Sequence, residues 1–483
     1  MIRTTKLTAL AAAISLSLVA CGGGGGTGGD TAGIGGSGFI STGTITGFGS
    51  VFVNGVKFET DSSSFDIEGV NGTQNDLAIG MVVRVNGTIN PDGVTGTATS
   101  IIFDDELQGP VANLTIAPDG QTATFTVLGT NVAIDRNSTS FDGTGFSFDS
   151  IANLDNVEMS GYLDSTGTLF ASRVELEDDV FIPNSSIVEV KGVISSLTDT
   201  TFNINTLLIN YSSATLEDLP NGLENGILVE VEGTFDGNST ITARSVESEE
   251  LELSDTDEFE LEGYITDYVD SSNFKINGIP VNASGSSVEF SPSTLTLAND
   301  LQVEAEGYIS NGVLIANEVK LRGGEVKISA EVTSISSDPD NPNSFVVSPI
   351  NGQTGITISI GAETEMKNEI IESESLDISD LYLGAFVQLE GYEDADFVFA
   401  SQVKIVDFND SDGVEVQANI DETVDDGDIT VLGVKFDVRS ASFEDSNDNS
   451  ITETAFNTAA TSNPLISVTA NSDDGIAVKA ELE

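Results

Sequence analysis

Two stretches of the chain carry the oxygen ligands that a hard cation takes. Asp445, Asn447, Asn449 and Glu453 fall at positions one, three, five and nine of an EF-hand spacing, where carboxylate and amide oxygens at alternate positions wrap calcium. The rest of that pattern departs. Ser450 stands where the sharp turn takes Gly, and Phe456 stands where the bidentate Glu belongs. Strand-like sequence on either side argues against flanking helices, so a solvated acidic loop is the favoured reading. Asp407, Asn409, Asp410 and Asp412 form a second cluster at a junction between repeats, where a divalent ion would stiffen the joint. Neither cluster is assigned as a metal site, and no cofactor is expected.

Catalytic chemistry finds little support. Seventy-eight Asp and Glu guarantee carboxylate pairs at the roughly 5 to 9 Å of glycosidases by chance, so such a pair carries no information. The chain has no His, no Trp and one Cys. That removes the usual zinc, copper and haem ligand sets, the thiol dyads and every intramolecular disulfide. The serines have no imidazole base, and no residue run has the form of a nucleophile elbow. A non-catalytic protein is expected, with no catalytic residues to name. The net charge of −61 would repel phosphate backbones, which bind through Lys and Arg that displace counterions; nucleic acid is excluded as a partner.

Residues 1–20 run from the basic Arg3 and Lys6 through an apolar stretch, Leu7 to Val19, to Ala20. This is the order of an export signal, and the apolar stretch is far short of the roughly 20 residues a spanning helix needs. Leu18, Val19 and Ala20 directly before Cys21 resemble the lipobox of bacterial lipoproteins. The resemblance implies that residues 1–20 are a lipoprotein signal peptide and that Cys21 is lipidated after cleavage. The only thiol of the chain occupies that position. More than one acyl chain gives stable anchoring without spanning. Gly22, where related lipoproteins retained in the inner membrane carry Asp, implies by the same resemblance the outer membrane. Residues 21–42 continue as Gly22 to Gly26 and further Gly, Ser and Thr, a flexible tether with a reach of roughly 25 Å. Losing Arg3 and Lys6 leaves 15 basic against 78 acidic residues, a charge of −63.

From Gly43 onward one order of signals recurs six times. Each copy opens with a small residue two before a β-branched one: Gly43 and Ile45, Gly109 and Val111, Gly192 and Ile194, Gly263 and Ile265, Ala330 and Val332, Ala418 and Ile420. An alternating stretch broken by a turn follows, as Asn54-Gly55 and Asn277-Gly278, the strongest short hairpin signal. Copies two and six keep Gly129 and Gly433, and copy three has Asn205 and Thr206. Later a β-rich run ends at Gly87, Gly161, Gly233, Gly307 or Gly391, and after a short turn comes Ala98, Ala171, Ala243, Ala316 or Ala400, each three before Val or Ile. Copy six departs most, with Val468 and Ala470 in place of the run-ending Gly and with Ala477 and Ala480 in place of the Ala and Val.

Five or six strands in roughly 65 to 80 residues suit a small OB or SH3-like barrel. The expected fold class is all-β: a tandem array of about six such barrel repeats after the signal peptide and tether. The units read as 43–106, 107–183, 186–250, 257–322, 326–408 and 413–483, separated by acidic or Gly-rich seams such as Asp104 to Glu106. Six beads in line would form a stalk or curved array on the order of 170 Å long. A short helix inserted at Glu369 to Tyr382 is the main departure expected within this frame. Val303 to Ile309 followed by Gly312 to Ala316 and Val319 resembles the bacterial family known as domain of unknown function 5666. That resemblance implies tandem copies on lipoproteins and carries no catalytic residues.

The reading that follows is a non-catalytic, membrane-anchored cell-envelope lipoprotein in the outer membrane, an acidic β-repeat spacer, adhesion or assembly scaffold. The alternative is a glycan- or protein-binding module using repeated barrel faces, with an envelope protein or glycan as partner; a carboxylate-based hydrolase ranks third. Phe52, Phe65, Phe125, Phe141 and Phe274 divide the first two: buried rings fill cores, whereas exposed rings at equivalent positions would make a stacking platform.

Overall fold

Phe39–Phe48 alternates buried and half-buried residues along its whole length, because a strand sends successive side chains to opposite faces. It leads into Val51–Val53, which forms a hairpin with Val56–Glu59. Val56–Glu59 then runs parallel to Thr95–Phe103, which pairs antiparallel with Val82–Ile89, and that strand returns to Phe39–Phe48. The circuit first, second, third, fifth, fourth, first is the order of an OB-type barrel, and closing it removes the exposed edges. A short strand, Ser64–Ile67, adds to the fifth by parallel pairing.

The computed structural model describes residues 39–483 apart from 49, 92, 118–119, 137, 221, 250–257, 294, 323–325, 337–342, 369, 372–377, 395–396, 409–410, 412, 426, 446–448, 462–464 and 483. The same circuit recurs at 107–178, 187–248, 258–321 and 326–406. In the sixth unit, Val414–Asp425, Asp428–Val431 and Val434–Asp437 make the first three strands, and Leu465–Ala470 and Ala477–Leu482 the last two. Its third strand reaches the fifth through the bridge Asp437 to Ile476. The all-β tandem array of small barrels stands.

The recurring small residues have two separate causes. In the hairpins of barrels one and four, Asn54 with Gly55 and Asn277 with Gly278 take positive φ, as a two-residue turn matched to strand twist requires. Each Asn then folds back over the opening Gly of its unit: a Cβ on Gly43 would lie 2.0 Å from Asn54 Oδ1, and one on Gly263 2.5 Å from Asn277 Oδ1. In barrel two Val127 and Leu128 occupy that space over Gly109, and in barrel three Ile204 occupies it over Gly192. The second cause is a β-bulge between the fourth and fifth strands, where Gly87, Gly161, Gly233, Gly307 and Gly391 pair with Ala98, Ala171, Ala243, Ala316 and Ala400. Copy six keeps the bulge with Ala470 opposite Ala477, and keeps the positive-φ turn at Leu432 and Gly433. Its departure in sequence is therefore not a departure in fold.

Three expectations are corrected. First, the barrels are not beads in line. The first strands pair between units: Phe39 to Thr42 run parallel to Glu258 to Leu261, joining barrels one and four. Leu107 and Gln108 pair with Val190 and Glu189, joining two and three, and Lys327 to Ser329 pair with Gln417 to Glu415, joining five and six. The second concerns the interiors, which are not all separate. Barrels two and three share one apolar cluster, as do five and six, while one and four each hold their own. Third, the tether read as 21–42 ends before Phe39, because Phe39 to Thr42 begin the first strand and pair with barrel four. Within Glu369 to Tyr382, residues 369 and 372–377 lie outside the described residues, and the rest holds the one-turn 3-10 helix Ile378–Asp380. Among the described residues an α-helix lies at Glu453–Ala460, capped by Thr452 Oγ1, which accepts from Ala455 N at 3.2 Å. Phe456 and Ala460 are buried beneath it.

The five rings divide: four fill or pack against cores, and Phe52 lies on the outer face of its strand. Phe125 and Phe274 are buried, and Phe52, Phe65 and Phe141 are half-buried. Among the described residues no helix is long and apolar enough to cross a membrane.

Candidate functional site

Strand residues that point out of a barrel normally meet water, yet several acidic ones here do not, because another barrel lies over them. Phe259 and Leu261 fill the interior of the fourth barrel, so Glu260 between them faces outward; it is nevertheless buried. Ser41 of the first barrel donates to Glu260 Oε2 at 2.8 Å, and Asn54 Nδ2 donates to Ser41 Oγ at 2.9 Å. Glu304 is buried beside it, accepting from Lys320 Nζ at 3.2 Å and paired with Arg322. Burial raises the Glu304 pKa, but Arg322 and Lys320 outweigh it and hold the carboxyl below its usual range. Burial and the neighbouring Glu304 push Glu260 well above that range. The two acids of the seam are thus pushed in opposite directions, Glu304 toward its charged form and Glu260 toward its neutral form.

A second junction joins three barrels. The Tyr162 hydroxyl from barrel two lies 2.8 Å from Glu262 Oε2 of barrel four and 2.9 Å from Thr44 Oγ1 of barrel one. The Thr44 backbone N–H donates to the same Glu262 oxygen at 3.1 Å, and Gln302 Nε2 donates to Oε1 at 3.0 Å. Phe170 packs against Tyr264 with ring centroids 5.0 Å apart. Burial, and then Glu262, push the Tyr162 pKa well up, so the phenol stays protonated and donates.

The third junction is acidic. Glu68, Asp105 and Glu158 bring one carboxylate oxygen each within 4.8 Å of one another. Glu68 sits in the turn after Ser64–Ile67 at φ 49, with its N–H on Phe103 O at 2.8 Å. Asp105 lies in the connector between the first barrel's last strand, Thr95–Phe103, and the second barrel's first, Leu107–Ile116. Glu158 projects from Asn156–Leu163 between the inward Val157 and Met159. The Glu106 N–H donates to Met159 O at 2.9 Å, tying connector to strand. Gln108 is paired with Glu158 on one side and Glu189 of barrel three on the other. Burial raises Asp105 well above the carboxylate range, with Glu189, Glu158 and Glu68 adding to it. Burial likewise raises Glu158, reinforced by Glu68, Glu177 and Glu175. Asp105 is 1% exposed, and its Oδ1 has no hydrogen-bond partner.

Between barrels two and three lies a groove of about 560 Å³, whose apolar lining includes Leu128, Leu154, Phe181 and Phe235. Phe181 and Phe235 meet at 6.1 Å between centroids.

The residues singled out in the sequence fall elsewhere. Cys21 lies outside the described residues, as do Asn409, Asp410, Asp412 and Asn447. In the EF-hand-like stretch Asn449 donates to Asp445 Oδ1 from both its backbone N–H, at 3.0 Å, and its Nδ2, at 3.1 Å. Asp445 N–H in turn donates to Asn449 O at 3.0 Å. Asp445 and Asn449 are thus bonded to each other, and residues 446–448 between them lie outside the described residues. Glu453 begins the helix, contrary to the expectation that strands alone flank the loop, and Phe456 is wholly buried in the core. The acidic run at residues 104–106, read as a seam, is the part of the third junction visible in sequence. Glu68 and Glu158 are distant in the chain, and no local signal links them to it.

These features define a protein of tandem OB-type barrels joined through strand ladders and buried polar contacts. The chain belongs to the family described as Domain of unknown function (DUF5666), which it matches at residues 37–102, 108–175, 191–247, 262–320 and 330–404. The sixth barrel lies beyond those matches. No curated protein matches the chain. Among solved structures, the chain described as drosophila Unr CSD456 is similar at 12% identity over 63% of this chain and 98% of its own, with a TM-score of 0.12; so low a score carries no argument about fold or function.

Proposed function

We propose that this protein is a non-catalytic, lipid-anchored lipoprotein of the bacterial cell envelope, outer-membrane directed, in which a tether between Cys21 and the first strand at Phe39 carries an acidic scaffold of docked barrels. The observation that carries the scaffold part is the pairing of first strands between units. A ladder of backbone hydrogen bonds resists swinging far better than a flexible linker does. Support for the anchor comes from the leader and from Cys21 as the sole thiol. The protein would act by holding a large anionic surface at a set distance from the membrane, keeping it soluble at physiological salt, where screening acts over about 8 Å. Replacing Cys21 by Ala and fractionating a bacterial host tests the anchor. The expected result is transfer from the membrane to the soluble fraction; unchanged fractionation defeats it.

The groove between barrels two and three favours a second reading, a module that binds glycan or an envelope protein. Apolar concavities with a few polar groups are where ligands bind. Ser239→Trp, which would obstruct this groove, should abolish retention of the full chain on immobilised envelope polysaccharide. Equal retention of parent and variant removes the reading for glycans.

A further inference from the structure

We propose that Glu68, Asp105 and Glu158 form a calcium site that locks barrel two onto barrel one. The three carboxylates converge within 4.8 Å from a turn, a connector and a strand, so an ion there would tie together three segments in two barrels. Glu189, across Gln108 in the adjoining ladder, extends the negative charge to barrel three.

The unpartnered Asp105 Oδ1 is the observation that goes beyond acidity. A buried carboxylate oxygen without a donor loses its hydration with no compensating bond, whereas the buried Glu260 and Glu304 both accept from donors. The nearby bases serve other acids. Lys191 bridges Glu230 and Glu249, each at 3.5 Å, and Arg173 bridges Asp142 and Glu175. The remaining ways to neutralise the cluster are protons or a cation, and at neutral pH a divalent cation compensates more than one charge at once.

The ligand chemistry selects the ion. All three ligands are carboxylates, with neither imidazole nor thiolate anywhere in the described residues, which disfavours zinc and copper. Three carboxylates can present up to six oxygens, reaching the roughly six to eight that calcium takes in flexible geometry, whereas magnesium retains waters and demands a strict octahedron. The site also differs from the loops noticed in sequence, which are short and local; this one exists only when two barrels are docked.

The test uses the full chain in detergent, stripped with EDTA and dialysed. Calcium titration by calorimetry should show a saturable site, and the thermal midpoint should rise with calcium as binding to the native state requires. Magnesium should need at least tenfold higher concentration. Asp105→Asn should lose the saturable component, yet fold without calcium, since it removes a buried charge. Glu68→Gln, at a half-buried turn, is the companion variant and should weaken calcium binding at least tenfold. Absence of saturable binding at millimolar calcium, or the same binding in parent and Glu68→Gln, overturns the proposal. So does a response of equal size to magnesium, which would mark screening of the acidic surface.

Discussion

Gly307 lies directly opposite Ala316 across the bulge between two strands of the fourth barrel, and a Cβ on Gly307 would stand 2.0 Å from the carbonyl oxygen of Ile315. No side-chain rotation relieves a clash with backbone. The equivalent distances at Gly391, Gly161, Gly87 and Gly233 are 2.0, 2.1, 2.3 and 2.4 Å. A bulge adds a residue to one strand and sharpens its coiling, which a five-stranded barrel needs in order to close. The Gly and the Ala are thus two halves of one corner.

Gly307→Val should therefore destabilise the protein by about 1 to 3 kcal/mol, the cost of overpacking. Thr88→Val, one residue past the corresponding Gly of barrel one and exposed, should stay within about 0.5 kcal/mol of the parent. Urea denaturation midpoints compare them. Equal shifts would show that the corner tolerates a side chain.

Arg322 holds the charge on Glu304 in a seam that also contains Glu260. Arg322→Met removes one of the two cations on Glu304 and leaves Lys320 to hold it, an expected loss of about 1.5 to 3 kcal/mol near pH 7, the value of a hydrogen bond to a charged group. The loss should shrink toward pH 4, where Glu304, freed of Arg322, can take a proton. Adding Glu304→Gln to that variant should restore part of the stability. Denaturation of both variants at the two pH values measures this.

Tyr162 contributes one hydroxyl to a junction of three barrels. Tyr162→Phe should cost about 1 kcal/mol, the net value of a typical hydrogen bond, because Glu262 keeps the Thr44 N–H and Gln302 donors. The loss should show as a lower thermal midpoint. Faster proteolysis between barrels one and two would locate it.

Glu247 sits between Glu217 and Glu230 in adjoining strands. Burial first, then Glu217 and Glu249, raise its pKa to about 7, above the roughly 4.3 of an unfolded Glu. The unfolded chain therefore releases this proton at lower pH than the folded one. The stability tied to the protonated form is fully present below about pH 4.3 and is lost as pH rises through about 7. Glu247→Gln should match the parent near pH 4 and exceed it at pH 8. Identical pH profiles would show that Glu247 titrates alike in both states.

Much of the fold is legible in the chain because its causes are local. Asn54-Gly55 and Asn277-Gly278 mark hairpins through the positive φ they tolerate. The recurring Gly and Ala mark barrel corners because contact there leaves no room for a side chain. Alternation of apolar residues marks strands with one dry face. In copy six the same corner is made by Ala470 and Ala477, so its weaker signature still encodes it. The helix at Glu453–Ala460 was hidden by strand-rich surroundings, although Thr452 is an ordinary N-cap residue.

The docking of barrels is another matter, and so is the acidic junction built by it. Barrel one pairs with barrel four, leaving two and three between them in sequence. Glu68, Asp105 and Glu158 meet only when barrel two docks on barrel one. An outward-facing Glu has the same local sequence whether water or another barrel covers it. Its burial, its raised pKa and its neighbours depend on surfaces brought together from remote parts of the chain. Local backbone preference and strand periodicity are written residue by residue, whereas the electrostatics of a seam arise from tertiary contact.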